Sequence, residues 1–149
     1  MAKRKNIPES EYLKGLNEAV DNIQQAVDDM ISGSVQGLAN ALFYIATESQ
    51  QRAPVDTGDL RGSVEIKIDD KDYAHGEKGG GITITGTLPD TAVRGEVSYN
   101  TKYAANQHEH TEYDHPRGGQ AKYLESVLVE EKDRILKLIA EGVINETMK

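Results

Sequence analysis

Residues 49–68 read SQQRAPVDTGDLRGSVEIKI, and within this stretch the spacing of the apolar residues changes. Upstream they recur every three or four positions, as on a helix; downstream Val64, Ile66 and Ile68 alternate with Glu65 and Lys67, as on a strand with one buried face. Pro54 marks the break. It has no N–H to continue a helix and pushes Ala53 out of the α region. Val55-Asp56-Thr57-Gly58 then forms a turn, with Asp56 able to accept backbone amides and Gly58 free to take positive φ. The chain therefore turns from helix to sheet within a dozen residues.

Upstream, Leu13, Leu16, Val20, Ile23, Val27 and Met30 step by three and four, a heptad seam suited to packing on another helix. The seam then shifts to Ile31, Val35, Leu38, Leu42 and Ile45, a broader face directed at a core. The shift falls at Ser32-Gly33-Ser34, whose poor helix propensity predicts a bend near Gly33. The helical region is expected over 9–52, after a flexible arm at 1–8.

Downstream, the sheet is expected over 62–99. Besides 64–68, Ile82-Thr83-Ile84-Thr85 reads as a short strand, and Val93, Gly95, Val97 and Tyr99 as another. Residues 69–81, DDKDYAHGEKGGG, are polar and glycine-rich and read as a flexible connection. A long polar loop follows over 100–120. The last helix, over 121–142, carries Tyr123, Leu124, Val127, Leu128, Ile135, Leu138 and Ile139 at helical spacing. The expected fold is one α+β domain over 1–149, in which helices cover an antiparallel sheet of three or four strands.

Composition narrows the function. The net charge of −8 argues against a general nucleic-acid binder, and Lys3-Arg4-Lys5 is too short a basic run to reverse that. The absence of cysteine excludes disulfides, thiolate metal sites and cysteine nucleophiles. Met1–Ser10 lacks the apolar core of a signal peptide, which predicts a soluble chain made in a cytoplasm. Only 5% of residues are aromatic, a sparse core that neighbouring subunits would complete.

Two stretches invite a chemical reading. Asp56-Thr57-Gly58 is the tripeptide of aspartic proteases, which need two aspartates sharing a proton and hence a dimer of so short a chain. Here a helix and Pro54 precede it and charged Asp59 follows, so a structural turn through Pro54, Asp56, Thr57, Gly58, Leu60 and Arg61 is the better account. In that turn Arg61 is expected to pair with Asp56 or Asp59, and Leu60 to plug the core. Residues 107–117, QHEHTEYDHPR, hold His108, His110 and His115 among carboxylates, and a metal-dependent hydrolase is the alternative they raise. No HExxH helix is present, and a polar loop has the same composition.

Ala53-Pro54-Val55-Asp56-Thr57-Gly58-Asp59-Leu60-Arg61-Gly62-Ser63 resembles the AP-apolar-DTG-x-L-R-x-S signature of a tailed-bacteriophage family. Its members are described as tail components, minor capsid proteins, and head–tail connector or tail-completion proteins. Tyr103-Ala104 with Gln107-His108-Glu109 is similar to a later segment of that family, and Gly118 to Glu125, GGQAKYLE, to the start of its last helix. The chain departs from many members in its long heptad-patterned first helix and long glycine-rich loop. The resemblance implies a non-enzymatic virion protein without cofactor or membrane. It would act at the head–tail junction as a homo-oligomer, a hexameric ring, after assembly in the host cytoplasm. It would meet other neck and tail proteins, a connector or stopper and a tail tube or terminator, and genomic DNA would pass through without specific binding. The loop with Tyr103, Gln107, His108, Glu109, His110, His115 and Tyr123 is then expected to face a neighbouring subunit.

Overall fold

The computed structural model describes residues 8–55, 58–92, 94–101, 104–111 and 118–148. Of the positions singled out above, residues 1–7 of the expected arm with Lys3, Arg4 and Lys5, and Asp56, Thr57, Val93, Tyr103 and His115, lie outside these residues. The apolar helix forms as α1, Glu9–Arg52, with Glu9 and Glu11 in its first turn and Arg52 in its last, as the helix dipole favours. Ser32-Gly33-Ser34 does not break it. Gly33 and Gly37 are buried where the last helix crosses. A Cβ on Gly33 would stand 2.6 Å from the carbonyl oxygen of Gly142, and one on Gly37 would run into that of Ile139. The glycines that weaken the helix locally thus let two backbones meet, and that packing outweighs their propensity.

After the short α2, Asp59–Gly62, the chain forms β1, Val64–Ile68; β2, Lys71–Gly76; β3, Ile82–Ile84; and β4, Gly95–Tyr99. All pairings are antiparallel, and the order is β3-β2-β1-β4. β2 corrects the expectation of a flexible connection over 69–81. Asp69 and Asp70, at φ 49° and 66°, make a two-residue turn that returns the chain beside β1. A bulge opposite Ile66/Lys67 then brings Tyr73 and Ala74 in succession to the buried side. Strict alternation is lost there, which hides the strand from a period-two reading.

The helices after the sheet also differ in extent. α3, Ala104–Glu109, occupies part of the expected loop, and its AANQHE sequence is rich in helix formers. The last helix is two pieces, α4, Tyr123–Glu130, and α5, Lys132–Thr147, separated at Glu131. α5 continues past Gly142 because Val143 and Glu146 also lie against Gly33.

The second half of α1 is held on two sides. Ala39, Leu42 and Ala46 pack on Val64, Ile66, Ile68, Tyr73 and Ala74 of the sheet, while Gly33 and Gly37 meet α5. The first half has no such cover. From residue 8 to 32 every residue except Asp29 is exposed.

Candidate functional site

The turn and the segment around His108 converge in one small cluster at the C-terminal end of α1. Ala53, Leu60, Ala104 and Tyr123 are buried together, with Tyr99 and Leu124 packed against them. Leu60 is only 4% exposed, the plug expected for this turn. Helix α1 ends at Arg52, two residues before Pro54, and a helix end leaves its last carbonyls without internal partners. Other segments satisfy them. The Arg61 guanidinium donates from Nε to Ala53 O (3.1 Å) and from Nη2 to Ala53 O (3.0 Å) and Gln51 O (3.0 Å). The Gln120 amide donates to Arg52 O (2.8 Å).

Arg61 therefore spends its planar fork on the helix end rather than on Asp59, whose carboxylate faces Lys78 Nζ at 3.3 Å. Asp56, the other partner considered for it, lies outside the described residues. Gly58, at φ 87°, carries the turn into α2, and its carbonyl accepts the Gly79 amide at 3.1 Å. Gln50 fastens the glycine loop from the helix side. Its Nε2 donates to Arg61 O (2.9 Å) and Gly81 O (2.8 Å), and its Oε1 accepts Gly81 N–H (2.9 Å). Arg52 reaches the other way, to Glu130 at 2.6 Å and Ser126 Oγ at 3.1 Å, tying α1 to α4.

Tyr123 is 1% exposed within the chain and donates its hydroxyl to Ala104 O at 2.7 Å. Its ring stands edge-on between Tyr99 and His108, with centroids 4.9 Å from each. Burial pushes the Tyr123 hydroxyl up to about 12. Burial raises Tyr99 as well, against the lowering effect of its hydrogen bond to Ser49 Oγ (2.8 Å). Ser49, Tyr99 and Tyr123 thus link α1, β4 and α4 through the cluster.

His108 is engaged at both nitrogens. Nε2 accepts the Glu125 amide at 3.2 Å, so Nδ1 carries the ring proton of the neutral form and donates to Glu109 at 2.7 Å. Among the described residues, His108, Glu109 and Glu125 form a group with donor atoms within 4.8 Å of one another. The Lys122 ammonium already lies between the carboxylates, bonded to Glu109 and 3.1 Å from Glu125. Lys122 holds Glu109 below the usual carboxylate range, helped by His108, and the two glutamates raise Lys122 in turn. A metal ion would have to displace that ammonium and take a histidine nitrogen from an existing bond, so this donor set fits a salt-bridged clasp better than a metal centre. Gln107 and His110 are half-buried on and just after α3.

Sequence reasoning missed Gln50, Arg52, Tyr99, Lys122 and Glu125. A buried Gln and a half-covered Arg at a helix end have no local pattern, because their partners are far along the chain. Tyr99, at the end of an alternating strand, carried the clearest signal.

Residues 14–110, about two thirds of the chain, match the family model described as "Bacteriophage HK97-gp10, putative tail-component". The chain belongs to this family. The match takes in the turn with Leu60 and Arg61 and the α3 segment with His108, while the GGQAKYLE stretch lies beyond it. It also reaches back over most of the free half of α1. No curated protein and no solved structure matches the chain. As a phage tail component the protein works in the virion with other phage proteins. Among the described residues no helix is long and apolar enough to cross a membrane.

Proposed function

We propose that this tail component acts in the neck of the particle, forming a ring that completes the tail and joins it to the head. The family match carries the reading. The cluster supports it, because its polar side chains are spent on fastening α1, α2, α3 and α4 together. Such a joint transmits load between a long helix and a sheet without needing a reaction. The segment from Glu109 and His110 to Gly118 is the one we assign to contact with the next subunit, with Tyr123 and Lys122 anchoring its far end. An acidic ring would let DNA pass without gripping its phosphates.

Gold-labelled antibody on intact particles tests the location. Label confined to the head–tail junction is the expected result. Label along the tube or at the distal tip would overturn the neck assignment.

A further inference from the structure

The free half of α1 is an apolar surface with an ordered design. Leu13, Leu16, Val20, Ile23, Val27 and Met30 fall at alternating first and fourth positions of successive heptads, and each is between 42% and 65% exposed. A lone helix of this length is marginal in water, and large apolar residues on it gain nothing unless another surface covers them. Two further observations identify that surface. Ala19 and Ala26 occupy the seventh position, widening the seam to three positions in seven on one side. That width exceeds the strict two-position stripe of a paired coiled coil, and alanine lets a second helix backbone approach closely. In addition, Lys14, Glu18, Asp21, Asp28 and Asp29 all fall at the three outward positions, while the remaining flank holds Asn17 and Gln24. Identical helices placed side by side would bring no like charges together at the flanks, where they would otherwise repel.

We propose that the occupant of this seam is the same stretch of further copies of the chain, three or more helices packed in parallel. The partner must be a helix with a 3.5-residue apolar repeat over about 26 Å, and a second copy supplies one. A face wide enough for two neighbours gives a closed cyclic assembly, in which every helix points the same way. This inference rests on the ring reading above and adds to it a collar of helices separate from the joint at Ala53–Leu60.

Sedimentation of the full chain, with single cysteines introduced into its cysteine-free sequence, tests the proposal. The wild type should sediment as three or more copies. Ile23→Glu should weaken association at least tenfold while the Tm of the body stays unchanged, because Ile23 touches only the seam. Val20→Cys, on the seam, should cross-link to itself under mild oxidation, and Gln25→Cys, on the outer face, should not. A monomer or simple dimer at every concentration, an Ile23→Glu mass equal to wild type, or equal cross-linking at both cysteines would overturn it. If these fail while the protein still joins heads to tails, the helix collar falls and the neck reading stands. If they succeed while heads and tails join without the protein, the neck reading falls and the collar stands.

Discussion

Arg61 closes the end of α1 by donating twice to the carbonyl oxygen of Ala53, at 3.1 and 3.0 Å, from eight residues downstream. The guanidinium also brings a positive charge to the negative end of the helix dipole. Arg61→Ala should destabilise the protein by about 1.5–3 kcal/mol, the range for hydrogen bonds made by a charged group. Arg61→Lys should recover only part of that, since one ammonium cannot reproduce the fork. Denaturant midpoints of the three proteins check the order; a lysine variant as stable as wild type would leave only charge at work.

Leu60 fills the cluster behind this cap, between Ala53, Ala104 and Tyr123. Leu60→Ala should cost about 2–5 kcal/mol as a buried truncation. Leu60→Asp, which also buries a carboxylate, should lose more and yield misfolded or assembly-defective protein. Thermal unfolding measures the first, and particle counts by electron microscopy the second.

The turn from helix to strand was legible because Pro54 and the change of period around it are local signals. The joint itself was only half legible. Leu60 announced itself as the apolar residue in a polar turn, whereas the Ala53 and Gln51 carbonyls that Arg61 meets are backbone groups, which no side-chain pattern reveals. β2 escaped because its Asp-Asp turn and bulge removed both the glycine turn signal and the alternation. Gly33 misled for the opposite reason: read as a weakness in one helix, it is the contact point of two.

Alkaline titration reports on the buried tyrosines. Tyr99 and Tyr123 have folded pKa values raised above the unfolded value of 10.0, that of Tyr123 to about 12. The stability this represents is complete below pH 10 and is lost as pH rises toward and through the folded values. Phenolate absorbance should therefore show a late fraction near pH 12, and Tyr123→Phe should remove part of it. A single step near pH 10 would contradict the burial of both rings.

The Lys122–Glu109 clasp should respond to acid. Glu109 is lowered in the fold, so its contribution is present above the unfolded carboxylate range and is lost as pH falls through the folded value. At neutral pH Glu109→Gln should lower Tm slightly, since the pair is exposed. Below the carboxylate range the variant and wild-type curves should merge. A Tm difference that persists in acid would show that Glu109 acts by packing rather than by charge.

The helix crossing gives a stronger effect. A Cβ on Gly142 would press into the α1 backbone at Gly33 and Gly37. Gly142→Val should cost about 1–3 kcal/mol or more, because neither backbone can give way cheaply. Gly15→Ala, in open space on the free half of α1, should be neutral or slightly stabilising. Denaturant melts of the two variants side by side check this contrast.

Complementation is the test of whether this tail component joins tail to head. Filled heads and finished tails are collected from phage lacking the protein, and purified protein is added in increasing amounts. Separate heads and tails are expected at the start, and joined infectious particles that rise with added protein. Particles already joined without it, or heads and tails that stay apart at saturating protein, would show that the protein does not join them.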